Sequence, residues 1–273
     1  MNLKRIITAI IGLPLVILLI VFGNKYIMDV VISIIAIIAM YEYSKCAGKK
    51  IKFISWIGYL SALSIAFIHL VPDEMMSVAV TFGVPILMIL LFLNVIVTNM
   101  KITFKDAAFT FTGILYIVAF LMFFPILYGY TRNGELPGKL LIWFVITTSW
   151  GTDSVAYIIG KKFGKHKFSK VSPNKTIEGC IGGMVGAVIL SLICAYIINI
   201  NNDIQIAYGK IAILSALLSV IGQVGDFSAS VIKRYFDVKD FGELFPGHGG
   251  MIDRIDSVMF IAPFAYLLLT ICL

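Results

Sequence analysis

The stretch from Gly225 to Ser257 carries many charged side chains, and hydrophobic segments flank it closely on both sides. Its acidic residues are Asp226, Asp237, Asp240, Glu243, Asp253 and Asp256, and its basic residues are Lys233, Arg234, Lys239 and Arg254. Ionisable groups are expensive to place beside lipid, so a dense group of them at a membrane face marks a functional site by default. We predict that this stretch binds metal ions and phosphate groups.

Two spacings predict where these groups meet. Asp226, Ser230 and Lys233 follow an i, i+4, i+7 pattern, which places a carboxylate, a hydroxyl and an ammonium on one helix face. Asp253 and Asp256 are one turn apart at the start of a later helix, a spacing that lets two carboxylates share one metal centre. The alternative for this pair is a favourable interaction with the helix macrodipole.

His248 lies in a flexible glycine-containing segment, between Gly247 and Gly249. Backbone N–H groups of such a segment can face an anion and form a nest. His248 is therefore a candidate phosphate contact or proton carrier, although a lone histidine is more often structural.

A second candidate site is the loop at residues 161–179, which contains six lysines. Its segment from Ser172 to Thr176 has the turn residues and hydroxyls that hold phosphate oxygens. The alternative is a basic loop that lies on lipid headgroups. Just upstream, Asp153 lies in an apolar span, where packing does not explain a carboxylate, and the alternative is a hydrogen-bonded structural acid.

Hard carboxylate oxygens with no thiolate nearby favour magnesium over zinc. The four cysteines lack metal-ligand spacing and are predicted to be packing residues. Magnesium beside basic residues suits phosphoryl or nucleotidyl transfer. The residues thus predict a membrane-embedded enzyme that acts on a phosphorylated lipid and a nucleotide, and they leave the nucleotide open.

The elements that position these residues are membrane spans, because the 273 residues are 60% hydrophobic and only 14% charged. We predict an all-α, polytopic integral membrane protein of about nine transmembrane helices. The first span follows Lys4 and Arg5 and has no small-residue cleavage site, so we expect it to stay as an anchor. The predicted spans are Ile6–Phe22, Tyr26–Tyr43, Phe53–Leu70, Met75–Thr98, Ala107–Tyr130, Leu140–Ile159, Cys180–Ile198, Ile211–Ile232 and Val258–Leu273.

The polar residues divide the chain into two predicted regions. Residues 1–139 form a transmembrane scaffold of about five helices with almost no ionisable residues, suited to lipid contact or an oligomer interface. Residues 140–273 form the catalytic region, with loops at 161–179 and 233–257.

Basic residues predict the orientation. A cytoplasmic N-terminus puts 18 of the 22 Lys and Arg residues on the cytoplasmic side, together with both charged loops. We therefore expect a multi-pass protein of the cell membrane (inner or plasma) with its active site facing the cytoplasm. The net charge of +7 is attributed to anionic lipid and a phosphate-bearing substrate rather than to nucleic acid.

Two blocks of the sequence resemble the phosphatidate cytidylyltransferase (CDP-diacylglycerol synthase) family. The first is Ser230-x2-Lys233-Arg234-x4-Lys239-Asp240-x-Gly242-x2-Phe245-Pro246-Gly247-His248-Gly249-Gly250-x2-Asp253-Arg254-Ile255-Asp256-Ser257. The second is Asp153-x2-Ala156-Tyr157-x2-Gly160-Lys161-Lys162-Phe163-Gly164-Lys165-His166, followed by Ser172-Pro173-x-Lys175-Thr176-x-Glu178-Gly179. These blocks cover roughly the C-terminal half of the chain.

The resemblance implies a magnesium-dependent reaction of CTP with phosphatidate that gives CDP-diacylglycerol and pyrophosphate, in a homodimer of multi-span subunits. It implies metal or catalytic carboxylates at Asp226, Asp253 and Asp256, with Lys233 also catalytic. The remaining implied contacts to substrate or phosphate are Ser172, Lys175, Glu178, Ser230, Arg234, Lys239, His248 and Arg254.

The chain departs from the family pattern at two positions, with Ala229 where glutamate is expected and Val155 where glycine is expected. Within the same class, the alternatives are a CTP-dependent lipid kinase and a cytidylyltransferase for another lipid phosphate. An ion-coupled transporter with Asp153 and Asp226 on its ion path is a different class. It would distribute polar residues through both halves, whereas here they concentrate in the second.

Overall fold

The computed structural model describes residues 3–48, 50–131, 137–169, 171–201, 205–245, 247 and 249–272. Helices account for most of this part of the chain. The described residues form no β-strand, and two isolated antiparallel bridges, Lys167 with Thr176 and Phe245 with Gly249, join loop segments. The predicted all-α class is confirmed.

Ten α-helices are formed by the described residues, and each predicted span corresponds to one helix or to consecutive helical segments. A 3-10 segment, Ile65–Leu70, extends α3, and a π-helical segment, Ile114–Ala119, lies between α5 and α6. The bounds are α1 Leu3–Phe22, α2 Lys25–Cys46, α3 Ser55–Ser64, α4 Asp73–Val97, α5 Phe104–Gly113, α6 Phe123–Gly129, α7 Pro137–Phe163, α8 Ile177–Asn201, α9 Tyr208–Tyr235 and α10 Ile252–Cys272.

Several of these helical segments are long and apolar enough to cross a membrane. Among the described residues there are five, at Lys25–Cys46, Glu74–Val97, Phe104–Gly129, Ile177–Asn201 and Tyr208–Tyr235, and two shorter apolar helices, Gly12–Phe22 and Ser55–Leu70. A polytopic helical membrane protein is therefore confirmed. Large apolar side chains on these helices are exposed, as a lipid-facing surface requires; examples are Phe82, Ile89, Ile189 and Ile193.

The chain forms two compact units. The first contains residues 1–126 and 240–253, and the second contains residues 127–239 and 254–273. The helix α10 begins in the first unit and continues in the second. The predicted division near residue 139 concerned scaffold and catalytic roles, and it stays a prediction.

In the first unit, polar and aromatic contacts join α2, α5 and the segments between the helices. The Tyr43 ring stacks on Phe109 with ring centroids 4.4 Å apart, and the Tyr43 hydroxyl donates to the Phe109 carbonyl. The Asp106 carboxylate starts α5 by accepting hydrogen bonds from the backbone N–H groups of Thr103 and Lys52, both 2.7 Å long. These contacts fix the helices that surround α2.

In the second unit, small residues let α7 and α8 approach each other closely. A Cβ atom on Gly151 of α7 would lie only 2.6 Å from the carbonyl oxygen of Gly186 on α8. A Cβ atom on Gly183 would lie 2.8 Å from the Thr152 carbonyl oxygen. Small residues at such crossings are the usual way in which membrane helices pack backbone against backbone. This packing positions both ends of the basic loop between the two helices.

Substitution of Gly151 by alanine is expected to destabilise the protein by about 1–3 kcal/mol, because the new methyl group meets backbone atoms that cannot move aside. The thermal midpoint of the protein in detergent measures the effect. Gly209→Ala is the matched control, since a Cβ atom there meets nothing within 4 Å. Equal midpoints for both variants would contradict the tight α7–α8 crossing.

Candidate active site

The basic loop between α7 and α8 folds back on itself. The Phe168 N–H donates to the Lys175 carbonyl over 3.0 Å, and the Ile177 N–H donates to the His166 carbonyl over 2.9 Å. Glu178, in the first turn of α8, accepts hydrogen bonds from the backbone N–H groups of Lys165 and His166 and contacts the His166 ring nitrogen at 2.6 Å. The loop is therefore an ordered turn held at the N-terminus of α8.

This loop is held on α9 by one charged contact and two aromatic contacts. The Lys175 ammonium forms an ion pair with the Asp226 carboxylate, and both side chains are 28% exposed. The same ammonium lies over the Phe227 ring, 4.4 Å from its centroid. Phe168 stacks on Phe227 with a centroid distance of 4.7 Å.

Further along α9, the guanidinium of Arg234 donates a long hydrogen bond, 3.4 Å, to the Val171 carbonyl in the same loop. The loop thus contacts two successive segments of α9. Lys175 places positive charge beside Asp226, and Arg234 holds the loop two turns further along the helix.

Three aspartates of the second unit interact electrostatically. The negative charges of Asp226 and Asp153 both act on Asp256, while Lys175 and Arg254 partly offset the charge of Asp153. Helix α9 approaches α10 at Gly225, where an added Cβ atom would collide with the Asp256 carbonyl oxygen. A nearby cation would relieve the repulsion between such carboxylates, so the three aspartates are candidate cation ligands.

The stripe predicted on α9 lies on a continuous helix. Asp226, Ser230 and Lys233 fall within Tyr208–Tyr235, so the i, i+4, i+7 spacing puts them on one face. Ser230 is buried, and Lys233 interacts electrostatically with Asp256. The second unit also contains the predicted contacts Ser172, Lys239 and Arg254, and Ser172 accepts a backbone hydrogen bond from Lys175 that closes the loop turn.

The first unit contains Asp253, in the first turn of α10. Its Oδ2 accepts hydrogen bonds from the backbone N–H groups of Phe241 and Gly250, 2.9 and 3.0 Å long. Asp253 therefore holds the segment that precedes α10, and the macrodipole alternative for the pair Asp253 and Asp256 stays open. The predicted metal role of Asp253 stays a prediction, and His248 lies outside the described residues.

The donor chemistry of the second unit fits magnesium. No group of three His, Cys, Asp or Glu side chains among the described residues is arranged to hold a metal ion by itself. Magnesium keeps several water ligands and is usually held by one or two carboxylates together with substrate phosphates, rather than by a cage of protein ligands. Asp226 and Asp256 supply such a pair of hard oxygen donors.

Three residues at these sites escaped the sequence analysis. Phe168 and Phe227 hold the basic loop, but isolated aromatics in an apolar chain give no signal. Glu42 on α2 is buried, 4% exposed, and accepts two backbone hydrogen bonds at the start of α10. Glu42 is an ionisable residue inside a predicted span, and such residues mark candidate functional positions. It was missed because the first five spans carry so few ionisable residues that they were interpreted as scaffold.

The geometry defines a polytopic helical membrane protein with clustered carboxylates and a basic loop. Residues 3–272 match the cytidylyltransferase family model. The chain is 33% identical over 272 residues to a phosphatidate cytidylyltransferase of Bacillus subtilis (strain 168), covering 98% of this chain and 97% of the relative. It is 36% identical over 269 residues to a phosphatidate cytidylyltransferase of Staphylococcus aureus (strain COL), covering 97% of this chain and 98% of the relative.

The chain therefore belongs to the cytidylyltransferase family, and the resemblance stated from its sequence motifs is confirmed. The match extends over the first half of the chain as well, where the motifs gave no specific signal. The lipid-kinase and transporter alternatives are not favoured by these comparisons.

Substitution of Phe227 by alanine is expected to loosen the loop at residues 164–176, because it removes the Phe168 stack and the ring beneath Lys175. The two contacts together contribute about 1–2 kcal/mol, so local opening should rise roughly tenfold. Hydrogen exchange of loop peptides measures this change. Ser228→Ala is the control, since its hydroxyl donates to the Val224 carbonyl of its own helix. Unchanged loop exchange in Phe227→Ala would contradict the described docking.

Proposed function

We propose that this chain is a phosphatidate cytidylyltransferase, which joins CTP to phosphatidate and releases CDP-diacylglycerol and pyrophosphate. One observation carries the proposal: within the second unit, the basic loop packs against α9, the helix that carries Asp226. Lys175 meets Asp226 there, and Asp256 interacts with both Asp226 and Lys233. Positive groups that bind phosphates and carboxylates that hold a cation are both required for nucleotidyl transfer.

In the proposed reaction, a phosphate oxygen of phosphatidate attacks the α-phosphorus of CTP. A new P–O bond forms, the bond between the α-phosphorus and the bridging oxygen breaks, and pyrophosphate leaves. The phosphatidate phosphate is already anionic near neutral pH, so no side chain has to remove a proton. The protein's task is to hold two polyanions together despite their repulsion.

Basic residues of the loop and of α9 supply that attraction. We assign Lys175, Lys233 and Arg234 to substrate phosphates, with Lys239 and Arg254 as further contacts. Lys175 pairs with Asp226 in the structure, so phosphate binding by Lys175 exchanges one anionic partner for another. This exchange keeps the ammonium neutralised before and after the substrate binds.

Asp226 and Asp256 are the proposed magnesium ligands, and Asp253 is a further proposed ligand. When bound, magnesium neutralises charge on the nucleotide phosphates and on the departing pyrophosphate. Hydrogen bonds orient both carboxylates. Asp256 accepts a hydrogen bond from the Ser257 N–H over 2.8 Å, and Asp226 accepts one from the Lys175 ammonium. The proposed site is completed by Ser172, Ser230, Glu178 and His248. Glu178 contributes by holding the basic loop in its folded conformation.

The proposed location is the cell membrane, with both charged loops in the cytoplasm, where CTP and magnesium are available. The asymmetry of basic residues supports this orientation. The proposed assembly is a homodimer, by family resemblance. The mass of the protein in detergent, compared with the 30.1 kDa of one chain, tests it.

Purified protein in detergent is expected to move label from α-phosphate-labelled CTP into chloroform-extractable lipid when phosphatidate and magnesium are present. Asp256→Asn should lower this rate by on the order of 10²-fold or more, because it removes a carboxylate from the cation site. Glu243→Gln is the matched control: it neutralises a carboxylate in the same stretch, at a position that the family pattern leaves open.

Labelled lipid that depends on magnesium and is lost in Asp256→Asn supports both the reaction and the site. Full activity in Asp256→Asn would keep the reaction and refute this residue assignment. Transfer of label from γ-labelled CTP but not from α-labelled CTP would identify a kinase and refute the proposed function.

A cysteine at Ser169, in an otherwise cysteine-free chain, should react with a membrane-impermeant maleimide only from the cytoplasmic side. Ser169 lies in the basic loop, where neighbouring side chains are exposed. Inverted and right-side-out membrane vesicles provide the comparison. Labelling in intact right-side-out vesicles would overturn the proposed orientation.

A further inference from the structure

The start of α10 is held by a carboxylate from a helix far away in the sequence. Glu42 of α2 accepts hydrogen bonds from the backbone N–H of Met251, 2.8 Å long, and from that of Ile252, 3.0 Å long. All three residues belong to the first unit. The first N–H groups of any helix lack partners within the helix, and here Glu42 satisfies two of them.

A buried carboxylate is a strong partner for such N–H groups. The helix dipole adds to the attraction, and hydrogen bonds to a charged acceptor are about twice as strong as neutral ones. Glu42 is only 4% exposed, so water cannot easily replace it. Removing its side chain would leave two backbone N–H groups without their partner in a nonpolar environment.

The segment before α10 is shaped around this carboxylate. A Cβ atom on Gly242 would lie 2.5 Å from the Glu42 Oε1 atom, and a Cβ atom on Gly250 would collide with both Oε atoms. Asp253 then binds the same segment from the helix side, through Phe241 and Gly250. The two carboxylates thus bind three successive backbone N–H groups, those of Gly250, Met251 and Ile252, and Asp253 also binds that of Phe241.

We propose that Glu42 is a positioning residue for the reaction: it fixes the first turn of α10 and so the aspartate at position 253. This inference rests on the proposed function. Glu42 touches neither substrate nor metal in the proposal. It acts on the backbone at Met251 and Ile252, and Asp253 lies in the same first turn of the helix.

The inference is tested with Glu42→Ala and Glu42→Gln in the full-length protein in detergent. Asp29→Asn is the matched control, because Asp29 is a buried carboxylate of the same helix that instead binds the backbone N–H and ring of His69. Two readouts are compared: hydrogen exchange of peptides from residues 241–256 without magnesium, and the magnesium concentration that gives half the maximal rate.

We expect both Glu42 variants to speed exchange at residues 241–256, with alanine the larger effect, while peptides from α8 and α9 stay unchanged. The half-saturating magnesium concentration should rise about tenfold or more, as for other residues that orient metal ligands indirectly. A smaller folded fraction lowers the maximal rate without moving this midpoint. Asp29→Asn should keep the wild-type midpoint and the wild-type exchange at residues 241–256.

Gly242→Ala is a second variant that tests the same contact without changing any charged side chain. Its methyl group should displace the Glu42 side chain and reproduce the faster exchange at residues 241–256. This variant keeps the test decisive if Glu42→Ala does not fold.

Wild-type exchange in the Glu42 variants that fold, or an unchanged magnesium midpoint, would overturn the inference even if the enzyme makes CDP-diacylglycerol. The same is true if Asp29→Asn shifts the midpoint equally, since Glu42 would then be merely structural. If the wild-type protein makes no labelled lipid, the proposed function fails. The magnesium-free exchange experiment then still shows whether Glu42 holds the start of α10.

Discussion

A charged or backbone polar group that is removed from water needs a partner, and this requirement explains the polar contacts of the molecule. An unpaired group of this kind is costly in an apolar environment, and beside lipid water cannot supply the missing hydrogen bond. Accordingly, Asp226 pairs with Lys175, Asp106 binds two backbone N–H groups, and Glu42 binds two more. Each of these carboxylates joins its own helix to a different segment of the chain.

The sequence was sufficient for features set by local periodicity and composition. Apolar runs predicted the helices, and the i, i+4, i+7 spacing predicted that Asp226 and Lys233 share a face of one helix. The pair Asp253 and Asp256 was correctly expected at a helix start. These predictions succeed because a helix has a fixed geometry, so spacing along the chain determines direction in space.

Contacts between distant segments could not be predicted in this way. Glu42 and Met251 are 209 residues apart, and no spacing rule links a carboxylate to a particular backbone N–H at that distance. The resemblance implied a substrate or phosphate contact at Glu178, and it gave no sign that this carboxylate also binds the backbone of Lys165 and His166. Which partner satisfies a polar group is decided by tertiary packing, and the linear pattern carries little of that information.

The structure gives a packing contact for one of the two departures from the family pattern and a buried position for the other. Val155 lies against Gly186 of α8, where a Cβ atom on the glycine would collide with the valine side chain, so the valine fills space that glycine at position 155 would leave open. Ala229 is fully buried on α9. A glutamate there would need a buried partner of opposite charge, and an alanine needs none. Neither change replaces a residue to which chemistry is assigned, so both bear only on the fine geometry of metal or nucleotide binding.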